Sequence, residues 1–203
     1  MITIDNILDV KKYIDDLDVV IFDLDDTLYS EKEYVKSGFM VLEKAYPNIK
    51  DFYIRLWNSF CNREQALDVV LKEENLQSEK ERCLEIYRSH FPKIHLYKGV
   101  LKMLKTIAEN KRIGIITDGR PSGQRLKIDA LGLGWIEKII ITDELGGVEF
   151  RKPNETAFKI MIDYFKCNAS KICYIGDNFN KDFYAPEKLG MKSIYFKNKD
   201  GLY

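Results

Sequence analysis

Val19-Val20-Ile21-Phe22-Asp23-Leu24-Asp25-Asp26-Thr27-Leu28 decides the fold of this chain. Its first four residues are apolar without alternation, the pattern of a strand covered on both faces of a parallel sheet. Three carboxylates follow within four residues, at the end of the strand where open parallel sheets bind their ligands. Carboxylates this close repel one another unless a cation neutralises them. Hard oxygen donors of this kind suit Mg²⁺, which takes one or two carboxylates, waters and a substrate phosphate. The plain alternative is an acidic turn that caps the next helix. A calcium loop of the EF-hand type is excluded, because Leu28 and Tyr34 stand where it needs Gly and Glu.

Outward from this stretch, four more continuous apolar runs read as buried strands: Ile113-Gly114-Ile115-Ile116, Ile139-Ile140-Ile141, Ile172-Cys173-Tyr174-Ile175 and Ser193-Ile194-Tyr195-Phe196. Helical patterns over 100–109, 124–131, 155–165 and 181–189 lie before or between them, and this alternation predicts a doubly wound α/β sheet. Pro186 is awkward in the last helix, since an interior proline removes a backbone bond. About ninety residues separate the first strand from the second, far more than one crossover helix needs. Residues 31–90 are helix-patterned, with breaks at Pro47 and near Gln77-Ser78, and their aromatic residues recur at the spacing of a helical core. The expected organisation is an α/β core of 1–29 with 93–203 and an inserted helical bundle over 30–92.

Composition narrows the partners. Lys plus Arg number 32 and Asp plus Glu number 32, which leaves no basic footprint for nucleic acid or an anionic membrane. No apolar run approaches the roughly 20 residues that span a bilayer, and the N-terminus lacks the basic and apolar regions of a secretory signal. The chain reads as cytoplasmic, acting as a monomer or homodimer. Cys61, Cys83, Cys167 and Cys173 form no CxxC pair, so buried free thiols are expected.

Three further polar clusters follow the later strands. Thr117-Asp118-Gly119 forms a turn whose hydroxyl and N–H groups suit a phosphate oxygen. Arg151-Lys152-Pro153 supplies cations between the third and fourth strands. Gly176-Asp177-Asn178-Phe179-Asn180-Lys181-Asp182 leaves the fourth strand. Each alone has a bland reading as a surface turn or ion pair. In this order, however, Asp-x-Asp-x-Thr, Thr, Lys-Pro and Gly-Asp-x4-Asp resemble the four motifs of the haloacid dehalogenase superfamily of hydrolases, over nearly the whole chain.

That resemblance implies a Rossmann-like core whose first strand is central, with the helical insert as a cap of the C1 type. It implies that Asp23 is a nucleophile forming an aspartyl-phosphate, a weak nucleophile that depends on in-line positioning and charge neutralisation. Asp25 is implied as the general acid and base, for which a pKa closer to neutrality than that of a free Asp is expected. Mg²⁺ is implied on Asp23, the backbone carbonyl of Asp25 and Asp177. Thr117 and Lys152 would bind phosphate, and Asp182 would orient Lys152 or the metal's waters. The residue after Thr117 is often Asn in the family and is Asp118 here, so its side chain is expected to turn away from phosphate and contribute only its N–H. Asp25 favours phosphoryl transfer, because the dehalogenases that name the superfamily lack that second Asp. The expected activity is a Mg²⁺-dependent phosphatase of small phosphomonoesters; the alternatives are a phosphosugar mutase or other phosphotransferase, or a non-catalytic phosphate-binding module. Candidate substrates are sugar phosphates, nucleotides, acylneuraminate phosphates and phosphoglycolate.

Overall fold

The computed structural model describes residues 1–202 and divides into two compact units, Met1–Glu31 with His95 onward, and Lys32–Ile94. The first unit is built on six parallel strands: β1 (Ile2–Ile4), β2 (Val19–Phe22), β3 (Arg112–Thr117), β4 (Lys138–Ile141), β5 (Ile172–Gly176) and β6 (Lys192–Phe196). They lie in the order β1-β6-β5-β2-β3-β4. The continuous apolar runs become the strands for the expected reason: every residue of β2 is fully buried, between β3 in register Val19↔Arg112 and β5 in register Val19↔Ile172. β2 is therefore the strand at which chain order reverses across the sheet, the place where α/β sheets form their binding crevices. The core on one side gathers Val19, Ile21, Ile116, Phe158, Met161 and Tyr174. Burial of each such aliphatic or aromatic side chain is worth about 1.5–3 kcal/mol.

The sequence reading of five strands is corrected to six. β1 is only three residues long, Ile-Thr-Ile, and pairs with β6 at the sheet's edge, Ile2↔Ile194. A run that short carries no periodicity of its own.

The flanking helices of this unit are α5 (Val100–Ala108), α6 (Pro121–Ala130), α7 (Thr156–Phe165) and α8 (Tyr184–Lys188), numbered after the four helices α1–α4 described next. α6 starts three residues before the expected position because Pro121 sits at its N-terminal first turn, where the missing N–H costs nothing. The expected helix over 181–189 shrinks to α8, and Pro186 falls within its first turn. Residues 178–183 instead make the turn that carries Asp182.

The second unit comprises α1 (Glu31–Ala45), whose first residue belongs to the other unit, α2 (Phe52–Cys61), α3 (Ala66–Glu73) and α4 (Lys80–Ser89). Its core contains Phe39, Leu42, Phe52, Leu56, Leu71 and Cys83. Arg55 ties α2 to the end of α3 through Glu73 at 2.7 Å and Glu74 at 2.5 Å. The sequence reading missed the break between α2 and α3, which is made by Asn62–Gln65 with Arg63 at positive φ. Gly38 on α1 faces Tyr87 so closely that a Cβ there would lie 2.2 Å from the ring. Cys83 and Cys173 are buried free thiols, but Cys61 is exposed, contrary to expectation. Among the described residues no helix is long and apolar enough to cross a membrane.

Candidate active site

The loops leaving β2, β3 and β5 converge at the C-terminal edge of the sheet. Asp23 continues β2 directly, its N–H donating to the Ile175 carbonyl at 2.8 Å, so the nucleophile candidate is held as rigidly as the sheet. Lys152, with no side-chain exposure, reaches into the same place. Its Nζ donates to Asp23 Oδ1 at 2.6 Å and to the Tyr174 hydroxyl at 2.9 Å, and pairs with Asp182 Oδ1 at 2.8 Å. These three partners match the three donors of an ammonium group. Burial works against its charge, but Asp182 and Asp23 hold its pKa well above the ordinary lysine value.

Asp182 is committed on both oxygens. Oδ1 meets Lys152 and the Tyr174 hydroxyl, and Oδ2 accepts the Asn178 N–H at 2.9 Å. Gly176 permits this, because a Cβ at that position would stand 2.3 Å from Asp182 Oδ2. Asp177 accepts a hydrogen bond from the Thr27 hydroxyl at 3.3 Å. Asp23, Asp177 and Asp182 each place a carboxylate oxygen within 4.8 Å of the others, all three buried.

Three buried carboxylates thus gather around the Lys152 ammonium, with the Lys181 charge also bearing on Asp23 and Asp182, which still leaves more negative than positive charge. Burial pushes Asp23 up to about 7 against the opposing pull of Lys152, and burial with the charge of Asp23 pushes Asp177 up to about 8. A divalent cation would remove that excess, and the donors present are the hard oxygens Mg²⁺ prefers. The residues therefore fit the ion. Asp23 and Asp177 would hold it, since both oxygens of Asp182 already have protein partners.

Asp25 lies apart from this cluster. Lys127 Nζ donates to its Oδ1 at 2.6 Å, the Tyr29 hydroxyl donates to the same oxygen, and Gln124 Nε2 donates to Oδ2 at 2.7 Å. Burial alone would raise its pKa, but the Lys127 charge and these hydrogen bonds outweigh it and hold the carboxyl below the ordinary value. The expectation of a near-neutral Asp25 is thereby overturned for the protein without ligand. Its cause is a lysine about a hundred residues away in sequence, which the local acidic pattern does not reveal.

Thr117 is fully buried at the end of β3 and accepts a hydrogen bond from Gln124. Asp118 turns its carboxylate toward protein donors. Oδ1 accepts the Thr142 hydroxyl at 3.0 Å and the Lys152 N–H at 3.1 Å, and Oδ2 lies 3.4 Å from Lys181. Arg151, by contrast, does not join the site; it forms a two-pronged pair with Asp143 at 2.7 Å on each oxygen. Arg120 is exposed at the start of α6.

Asp26 fastens the catalytic loop. It adopts a positive φ of 52°, tolerable for Asp, and its carboxylate accepts the N–H groups of Glu31 at 2.9 Å and Leu202 at 2.8 Å. Asn198 Nδ2 donates to the Asp26 carbonyl at 2.7 Å and to the Tyr97 hydroxyl at 2.8 Å. Gln124, Lys127, Tyr29, Tyr174 and Lys181 are the site residues that sequence reasoning missed. Helical spacing of Gln124 and Lys127 was the one available signal, but it does not say what their face meets.

Comparison with known proteins bears on the fold and the family. A glyceraldehyde 3-phosphate phosphatase of Pyrococcus abyssi is 27% identical over 198 residues, covering 88% of this chain and 81% of that protein. Among solved structures, a hydrolase from Streptococcus pneumoniae superposes with a TM-score of 0.64 at 18% identity, covering 91% of this chain and 95% of that one. A HAD phosphatase from Thermococcus onnurineus gives 0.59 at 21% identity, covering 90% and 87%. The sequence profile of the haloacid dehalogenase-like hydrolases matches residues 20–196, from β2 through the last residue of β6. The chain belongs to the haloacid dehalogenase-like hydrolase family.

Proposed function

We propose that this hydrolase is a cytoplasmic Mg²⁺-dependent phosphatase of small phosphomonoesters, acting through an aspartyl-phosphate on Asp23, with residues 30–92 as its cap. The observation that carries the reading is the separation of two carboxylates two residues apart. Asp23 sits in the buried cluster with Lys152, and Asp25 in a different set of donors made by Lys127, Gln124 and Tyr29. Different environments for neighbouring carboxylates allow different roles.

In the first step a carboxylate oxygen of Asp23 attacks phosphorus, the bond to the leaving oxygen breaks, and Asp25 gives that oxygen its proton. In the second, water attacks the same phosphorus, Asp25 takes the water's proton, and the bond to Asp23 breaks to release phosphate. Asp25 is ionised in the ligand-free protein and must take up a proton before the first step. The dianionic ester beside it favours that uptake, since a like charge disfavours the ionised form. Lys152 neutralises charge on the nucleophile and the phosphoryl group, while Thr117 and the N–H groups after it bind phosphate oxygens. Mg²⁺, when bound, would shield the anionic nucleophile from the anionic substrate.

The glyceraldehyde 3-phosphate phosphatase named above supports triose phosphates as the first substrates to test. The deciding experiment measures phosphate release from a panel of sugar phosphates, nucleoside monophosphates and small phospho-acids, with Mg²⁺, with EDTA and with Asp23→Asn. A few related substrates are expected to stand out, with both controls near background. An Asp23→Asn protein that keeps more than roughly a tenth of the rate overturns the nucleophile assignment.

A further inference from the structure

Gln124 and Lys127 stand three positions apart on α6, so they share one face of the helix. They are 3% and 6% exposed, and both end on Asp25. Sinking a lysine this far costs hydration and rotamer freedom, which only a well-placed anion offsets. Here its direct partner is the Asp25 carboxylate at 2.6 Å, with the buried Glu31 carboxylate also within reach of its charge. The amide nitrogen of Gln124 also donates to Thr117 Oγ1, so one side chain joins Asp25 to the hydroxyl at the end of β3. Because Thr117 accepts from Gln124, its own hydroxyl proton is left to donate elsewhere. Gly119 makes room for this route. It has φ +137°, and a Cβ there would press within 3.3 Å of the Gln124 Cγ and Cδ.

We propose that Gln124 and Lys127 are positioning residues for leaving-group protonation: together with Tyr29 they clamp the Asp25 carboxylate in one orientation, and Gln124 couples that orientation to Thr117. The clamp rests on the phosphatase reading above. It acts through Asp25 and touches neither phosphorus nor the leaving oxygen. Three donors on two oxygens fix the plane of the carboxylate, whereas loss of Lys127 leaves one oxygen with Tyr29 alone. Ångström-scale misplacement of a reacting group costs on the order of 10²-fold in rate. That loss is confined to reactions that need the proton.

The experiment compares kcat/KM for 4-nitrophenyl phosphate, whose acidic phenol leaves without help, with that for phenyl phosphate, whose leaving group needs protonation. Wild type, Asp25→Asn, Lys127→Met, Lys127→Arg and Gln124→Leu are measured side by side with Mg²⁺. Lys127→Met is expected to lose about 30-fold on phenyl phosphate but less than about 3-fold on the nitrophenyl ester, a part of the 10²–10⁴-fold that acid–base catalysis supplies. Lys127→Arg should restore most of the loss, because it keeps the cation and its donors. Gln124→Leu retains the ion pair and should show the same selectivity, which keeps the test valid even where Lys127→Met does not fold. Equal losses on both esters, or none, while Asp25→Asn falls selectively, overturn the clamp and leave the phosphatase reading standing. If wild type turns over neither ester, or Asp25→Asn shows no selectivity, the reading of Asp25 itself falls and the clamp with it.

Discussion

At the scale of single residues, Asp118 is the departure from the family pattern, and the structure gives it a use. A carboxylate aimed at a phosphate dianion would repel it; this one instead braces the Thr142 hydroxyl, the Lys152 N–H and Lys181. An amide in its place keeps the Oδ1 acceptor and gives up the 3.4 Å pair between Oδ2 and Lys181. Asp118→Asn is therefore expected to leave kcat/KM within about 3-fold of wild type. A gain of tenfold or more, read in the same phosphate-release assay, would mean that the carboxylate does face substrate. Lys181 was unreadable in advance, because its partner lies in another loop and the pairing exists only once β3 and β5 flank β2. The same holds for Gln124 and Lys127, whose contacts with Asp25 span 99 and 102 positions. The aspartates of the strand-end loops were legible because each directly follows an apolar run that announces its own strand.

At the scale of elements, runs long enough to fill a buried strand were legible, and short or mixed elements were not. β1 has three residues, and its place is set by β6 nearly two hundred positions later. α8 keeps only the middle of the helical pattern predicted for it, since the preceding turn is drawn into holding Asp182 through the Asn178 N–H. In the helical unit, Gly38 shows packing overruling propensity. Alanine in a helix interior is favoured over glycine by about 1 kcal/mol. At this position, however, the added methyl would meet the Tyr87 ring at 2.2 Å, and overpacking of that kind costs about 1–3 kcal/mol. Gly38→Ala is thus expected to lower the urea midpoint of the protein rather than raise it. A raised midpoint would show that Tyr87 moves aside freely.

At the scale of the whole molecule, the buried acidic cluster links stability to pH and to metal. Asp23 and Asp177 titrate near 7 and 8 in the metal-free fold, above the ordinary carboxylate value they take when unfolded. The folded state therefore binds more protons than the unfolded one between about pH 4 and 8, and stability falls as pH rises through that window. Asp25 has the opposite sign, but its window lies below the ordinary carboxylate value. The metal-free protein should melt at a lower temperature at pH 8 than at pH 5. Mg²⁺ should raise the melting temperature more at pH 8, where the carboxylates it would bind are ionised without it. Differential scanning calorimetry with EDTA and with excess Mg²⁺ reads both effects; a metal increment independent of pH would separate the ion from these two aspartates.

The placement of β2 at the centre of the sheet also sets an order of events in time. A chain made from its N-terminus has Asp23 and Asp25 in hand early, but the parallel neighbours of β2 arrive only with residues 112–117 and 172–176. The Lys152 ammonium that balances Asp23 comes between them, and the backbone donor of Leu202 that fastens Asp26 is synthesised 176 positions after it. Loops of that length must close before these contacts repay their entropy. A nascent chain halted before β5 would carry β2 with one edge unpaired and the acidic loop unfastened. Such an edge is open to pairing with another chain, so the segment that names the fold is also the one most in need of shelter until translation has passed the last strand.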